Sequence, residues 1–146
     1  MAQSLDAGFA DIVAAAYACL TGVTVATDID EDRALLTIEG SFDQLRIVIK
    51  EVVTPALRRY AYYILDGSHV LIGLDNYPDR TALRLMYGDR FTAHLDDLIP
   101  HRHGPGKMTT ELTDGWSARR FLDELRPQIA WAQQLLRPFQ INNYPN

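Results

Sequence analysis

The sequence predicts an α+β domain: an antiparallel β-meander of about five strands, with N- and C-terminal helices packed on one face. Through the middle of the chain, apolar and β-branched segments follow one another across turns too short for crossover helices. The clearest segments with apolar residues three and four positions apart lie near the two ends. The length of 146 residues suits one domain with a sizeable core.

The N-terminal third of the chain predicts one helix and the first strands of the meander. Ser4 is placed to be the N-cap of a helix over residues 5–20, and Thr21-Gly22 is a natural stop for it. Strands are predicted over residues 23–26, 33–39 and 45–53. The last of these, LRIVIKEVV, is the strongest because it is rich in β-branched residues.

A hairpin over residues 58–74 is the best-supported local structure. Asp66-Gly67-Ser68 provides the turn, since Gly tolerates positive φ and Asp and Ser bond their nearby backbone. Period-two alternation places alternate side chains on opposite faces of the first strand. One face then carries Tyr60, Tyr62 and Ile64, and the other carries Ala61, Tyr63 and Leu65.

The remaining third is less regular until its last helix. Residues 79–97 predict a short helix or an irregular insertion, residues 100–106 (PHRHGPG) a loop, and residues 107–112 a short edge strand. Ser117 is placed to cap a C-terminal helix. Pro127 lies inside that helical pattern, where it either kinks the helix or starts a second one.

Composition narrows the classes of partner. The single cysteine, Cys19, excludes an internal disulfide framework. The net charge of −5 argues against broad nonspecific affinity for nucleic acid. Residues 1–43, however, hold eight of the 19 acids and one of the 14 bases, so a basic face elsewhere remains open. No apolar run reaches the length of a membrane span and no basic region precedes the first apolar stretch, so a cytoplasmic protein is expected.

His101-Arg102-His103 is the first candidate for chemistry. In an extended segment residues i and i+2 share a face, so the two imidazoles point the same way. Such a pair can supply one base and one acid, which suits metal-independent RNA cleavage, with Arg80, Arg102 and Lys107 available to meet phosphate. The alternatives are a zinc site completed by Asp75 or His94, and a plain solvent-exposed loop.

Asp75-Asn76-Tyr77-Pro78 is the second candidate. Asp75 could orient a histidine, and Asn76 could hold a substrate amide or hydroxyl, although turn formation before proline explains both residues. The tyrosines of the hairpin could stack bases, with Tyr62 as the substrate-binding candidate; packing against a sheet face is the favoured alternative.

These motifs together resemble the TumE family of toxins from prokaryotic toxin–antitoxin modules. The resemblance rests on Tyr60-Ala61-Tyr62, Asp75-Asn76-Tyr77-Pro78 and Pro100-His101-Arg102-His103, and covers about residues 45–125. The family usually has histidines directly after the proline, where this chain has Asp79-Arg80, and it places the His-x-His sooner. The resemblance implies a toxin that acts on RNA or the translation apparatus and is neutralised by a cognate antitoxin.

The leading hypothesis is therefore a TumE-like ribonuclease in which His101 and His103 are acid and base and Asp75 orients one of them. No cofactor is expected, and the partners are an antitoxin and RNA, with a homodimer left open. Two alternatives stand beside it: a noncatalytic interaction module, whose acidic N-terminal part would face a basic partner, and a metal-dependent hydrolase that uses His101, His103 and Asp75.

Overall fold

The protein is built on one antiparallel sheet of seven strands that lie side by side in chain order. The computed structural model describes residues 3–141, with side chains through residue 137. The strands are β1 (Thr21–Ile29), β2 (Ala34–Phe42), β3 (Leu45–Val53), β4 (Arg58–Asp66), β5 (His69–Asp75), β6 (His101–His103) and β7 (Thr110–Leu112). The helices are α1 (Phe9–Cys19), α2 (Arg80–Tyr87), α3 (Ala118–Asp123) and α4 (Leu125–Ile141), with 3₁₀ turns at Gly88–His94 and Pro105–Lys107.

The predicted α+β class and antiparallel meander are confirmed, but the count of about five strands was too low. The largest difference is β6, which lies in the segment predicted to be a loop. Its three residues carry no strand signal of their own. They are extended because β5 and β7 pair with them on both sides, and because the flanking Ile99 N–H donates to the Asn76 carbonyl at 3.0 Å.

The helices at the two ends of the chain cover one face of the sheet, as predicted; we call it the helix face. Its core combines alternate residues of the central strands with residues of α1, α3 and α4. The hairpin contributes Tyr60, Tyr62 and Ile64 to this core, which confirms the predicted alternation. Among residues 3–137, the opposite side, the open face, is covered only near β6 and β7, where Ala82 and Leu83 of α2 pack with Ile99.

Both end helices differ in detail from the expected ones. The N-terminal helix begins at Phe9, not at residue 5: residues 5–8 form turns, and Gly8, which disfavours helix, is the N-cap without a side-chain bond. At the other end Ser117 caps α3 as predicted, its Oγ accepting from the Arg120 N–H at 3.1 Å. Pro127 lies in the first turn of α4, where no N–H is needed, so it belongs to a second helix.

One buried charge holds the helix face together. Glu51 of β3 is 2% exposed, and the Arg58 guanidinium donates to both of its oxygens, at 2.8 and 3.0 Å. The Tyr62 hydroxyl also donates to Glu51; burial and the neighbouring carboxylate raise the pKa of Tyr62 far above its usual value, so it remains a donor. Arg58 further donates to the Trp116 carbonyl at 3.1 Å, which joins β3, β4 and the segment before α3.

Among the described residues, no helix has both the length and the apolar character needed to cross a bilayer. The longest, α4, has 17 residues and includes two arginines, Arg126 and Arg137.

We expect Arg58→Met to lower the free energy of unfolding by roughly 2–4 kcal/mol, because it leaves the buried Glu51 carboxylate without its cation. Arg59→Met is the matched control: Arg59 is the next residue, exposed on the open face, and its loss should cost about 0.5 kcal/mol or less. Urea denaturation of both variants measures the difference. Equal midpoints for the two would contradict the role given to Arg58.

Candidate active site

The end of β5 and the short strand β6 bring three predicted site residues together. In the register of the two strands, Asp75 pairs with His101 and Gly73 pairs with His103. Both imidazoles therefore project from the open face, as predicted for an extended segment, and their ring centroids lie 4.8 Å apart, edge to face. We call Asp75, His101 and His103 the histidine cluster.

His101 is held between two acceptors. Its Nε2 lies 3.3 Å from Asp75 Oδ1, and its Nδ1 lies 2.6 Å from the Ile99 carbonyl, with only 1% of the residue exposed. Both ring nitrogens can donate at once only when the ring is protonated. Burial alone would lower the pKa of His101, but the bonds to Asp75 and Ile99 outweigh it and raise the pKa above its usual value. His101 and Asp75 thus form a buried ion pair.

His103 is the outer member of the cluster and has the opposite character. Its Nδ1 lies 3.1 Å from Thr110 Oγ1, while the nearest carboxylate to its Nε2 is Asp79 Oδ2, at 3.9 Å. Burial and the positive charge of His101 lower the pKa of His103. The two rings therefore differ: His101 has a raised pKa and both of its nitrogens are bonded, whereas His103 has a lowered pKa and an Nε2 that faces the partly exposed Asp79.

Two more predicted substrate-binding residues remain near this side of the sheet. Lys107 is exposed, with its Nζ 5.4 Å from the centre of the Tyr63 ring, and its positive charge acts on His103. Arg80 is the first residue of α2, exposed, and directly follows Asp79.

The structure does not bring the other three together with the histidines. Arg102 points to the helix face, where it stacks on Trp131 at 3.5 Å and bonds Gln128 and Glu111. Period-two alternation causes this, because the residue between two histidines on one face must lie on the other. Tyr62 is fully buried in the helix-face core, and the Asn76 side chain is used by the backbone of β4, bonding Tyr60 N and Arg58 O at 2.9 Å each.

Two neighbours of the cluster, Asp79 and Thr110, were not predicted from the sequence. A third, Tyr63, was expected only as one of the hairpin tyrosines that could stack bases. Asp79 caps α2 through the Ala82 N–H, and only a helix prediction starting at Arg80 would have singled it out. Thr110 stands opposite His103 in the β6–β7 register. Tyr63 passes over Gly73, where a Cβ would lie 3.1 Å from the Tyr63 ring and 3.8 Å from His103 Cβ. All three depend on pairings between distant segments.

The same residues can also be considered as metal ligands. Asp75, His101 and His103 each offer one atom, and these atoms lie within 4.8 Å of one another. Donation from His101 Nδ1 to a backbone carbonyl is the arrangement that leaves Nε2 free to ligate. His94, the other zinc candidate, is instead stacked on Tyr87 and paired with Asp97 at 2.7 Å. A divalent ion would take the place of the proton between His101 and Asp75.

We expect Asp75→Asn to lower the pKa of His101, because burial then acts without the carboxylate. The folded-state pKa is raised, so the ion pair stabilises the fold fully below the unfolded value of about 6.5 and the stabilisation is lost as the pH rises through the folded value. Asp75→Asn should therefore cost more stability in acid than in alkali. Urea denaturation of both proteins below about pH 6.5 and above the folded-state pKa of His101 measures the loss of stability, and NMR titration of the imidazole measures the change in that pKa.

Asp97→Asn is the control, since Asp97 pairs with His94 in an exposed position where an ion pair contributes little. A stability loss for Asp75→Asn that is the same in acid and in alkali would contradict the buried ion pair.

The chain was also compared with known proteins. No protein-family model, no curated protein and no solved structure matches it. The similarity to TumE toxins therefore remains an expectation based on short motifs, and the function must be argued from the geometry of the histidine cluster.

Proposed function

We propose that this protein is a toxin-type ribonuclease that cleaves RNA by acid–base chemistry at the histidine cluster. The observation that supports this most directly is the row Asp75–His101–His103, in which one imidazole is ion-paired and buried and the other keeps an unbonded Nε2 toward Asp79. Two neighbouring titratable groups whose surroundings push their pKa values apart are the usual basis for assigning an acid and a base.

In the proposed reaction His103 is the base. Its Nε2 accepts the proton of a ribose 2′-hydroxyl, the 2′-oxygen attacks the adjacent phosphorus, and the bond from phosphorus to the 5′-oxygen breaks. His101 gives its Nε2 proton, which it shares with Asp75 at 3.3 Å in the free protein, to the departing 5′-oxygen, while its Nδ1–H bond to the Ile99 carbonyl keeps the ring in place. Because His101 is almost fully buried, the substrate enters from the side of His103 and Asp79.

Phosphate binding is assigned to a smaller set than the sequence suggested. Lys107 stands on the open face beside Tyr63 and His103, and Arg80 follows Asp79, so both can meet a phosphate in this site. Arg102, Tyr62 and Asn76 are left out because their side chains are used inside the fold. An antitoxin, as the TumE resemblance implies, would block the reaction by covering the open face.

A metal-dependent hydrolase is the second candidate. It is favoured by one observation, the Nδ1–H of His101 donated to the Ile99 carbonyl at 2.6 Å, which orients the ring as in metal-binding histidines. Under this candidate Asp75, His101 and His103 would hold the ion, and an ion-bound water would be the nucleophile.

Replacing His103 tests the proposed chemistry. We expect His103→Gln to lower RNA cleavage by about 10²–10⁴-fold, the usual contribution of one acid–base group, and to abolish growth arrest on expression. His69→Gln, which removes an exposed histidine at the start of β5, should leave both unchanged. A folded His103→Gln protein that cleaves as well as His69→Gln would exclude the mechanism. No cleavage by any form, the wild type included, would favour the noncatalytic interaction module.

Metal analysis separates the two catalytic candidates. For the acid–base mechanism we expect full RNA cleavage after dialysis against a chelator and less than one metal ion per chain in the purified protein. The metal-dependent candidate requires stoichiometric metal that His101→Gln and His103→Gln both remove, with activity lost on chelation and restored by the ion. Elemental analysis with a cleavage assay on the same samples gives the answer.

A further inference from the structure

The open face carries a group of four exposed basic residues, and the proposed chemistry uses only one of them, Lys107. They project from β3, β4 and the turn after β6, and the neighbouring apolar residues on this face of the strands are buried or partly buried. The four bases are Arg46, Lys50, Arg59 and Lys107. In a chain of net charge −5, this face collects positive charge next to the histidine cluster.

The strand register shows that these bases lie on one side. Lys50 pairs with Ala61 and Arg46 with Leu65, while Arg59 pairs with Val52. Ala61 in turn pairs with Asp75, so this row continues to the histidine cluster. Glu39 lies among the bases and is paired with Arg46 at 2.9 Å, and Asp28 stands further out, on β1.

Two tyrosines connect the bases with the cluster. Tyr63 passes over Gly73 beside His103 and has Lys107 above its ring. Tyr77, just beyond β5, has the Arg59 guanidinium 5.7 Å from its ring centre. Burial raises the pKa of the Tyr63 hydroxyl, and Asp75 and Tyr77 raise it further, which places the hydroxyl near both. Each tyrosine thus offers a partly exposed ring with a cation beside it.

We propose that the open face binds single-stranded RNA, with Arg46, Lys50, Arg59 and Lys107 on its phosphates and Tyr63 and Tyr77 stacked on its bases. This inference rests on the proposed function and assigns the substrate class. Basic side chains beside aromatic rings are the combination that binds an unpaired strand. The aromatic rings stack on nucleobases, and the faces of nucleobases are inaccessible in a duplex. The face leads to His103, so a strand bound there brings its backbone to the unbonded Nε2.

The test is binding of wild-type protein to a fluorescein-labelled 2′-O-methyl oligouridylate, which lacks the nucleophile and cannot be cleaved. We expect the triple variant Arg46→Gln, Lys50→Gln, Arg59→Gln to bind at least about 30-fold more weakly and to show a slope of log K against log salt smaller by about 2. Tyr63→Leu should weaken binding about fivefold or more, and Tyr63→Phe should not.

The matched control removes three exposed bases from the helices: Arg119→Gln, Arg126→Gln, Arg137→Gln. This control variant loses the same three positive charges but keeps every basic residue of the open face. It should therefore bind within about twofold of wild type, because direct contacts with phosphate depend on where the charges lie and not on the total charge. All these side chains are exposed, so both triple variants should unfold at nearly the wild-type temperature.

Several outcomes would overturn the inference. One is equal weakening by the two triple variants. A second is a duplex of the same length bound as tightly as the single strand, and a third is poly-glutamate bound as tightly with the same sensitivity to the variants, which would indicate an acidic protein partner. If the wild type cleaves RNA but the triple variant of Arg46, Lys50 and Arg59 binds the oligonucleotide as tightly as the wild type, this inference alone is overturned. If the open face binds the oligonucleotide as expected but the wild type does not cleave RNA, only the proposed function is overturned.

Discussion

The sheet is covered along its length by helices on one side, with α2 on the other side only at β6 and β7 within the described residues. Such a sheet must divide its side chains by alternation, and the rest of this structure depends on that division. Every residue of the central strands faces either the apolar layer against α1, α3 and α4 or the open side. A charge on the helix face must therefore be paired, as Glu51 is by Arg58 and Tyr62. The open side can keep groups whose bonds are incomplete, and there the histidine cluster is found.

The two buried polar groups of the sheet show this contrast. Around Glu51 the carboxylate oxygens are bonded and the chain segments are joined, which suits a structural role. In the histidine cluster His101 is equally well bonded, but His103 keeps an Nε2 whose nearest carboxylate is 3.9 Å away. An imidazole held in place and left unbonded at one nitrogen is suited to exchange a proton, which is why we propose catalysis at this cluster and not at Glu51.

Charge is also unevenly distributed, although Glu39 lies among the basic residues of the open face. The acids of the first 43 residues lie mainly on α1, β1 and the turn after it, whereas Arg46, Lys50, Arg59 and Lys107 gather on the open face. A net charge of −5 therefore conceals a basic surface beside the histidine cluster. The two proposals depend on this arrangement: the histidine cluster carries out the proposed chemistry, and the adjacent open face, with its basic residues and tyrosines, binds the proposed substrate.

The sequence by itself determined the meander, the hairpin and the helices at the ends, because period-two and helical spacing, turn residues and Ser117 are local signals. It also singled out Asp75, His101 and His103. Only the tertiary structure decided that residues 101–103 form a strand, since three residues become extended there by pairing with β5 and β7. That strand in turn moved Arg102 to the helix face and added Asp79, Thr110 and Tyr63 to the site. Contacts between residues far apart in the chain carry no local pattern, so the fold had to place them.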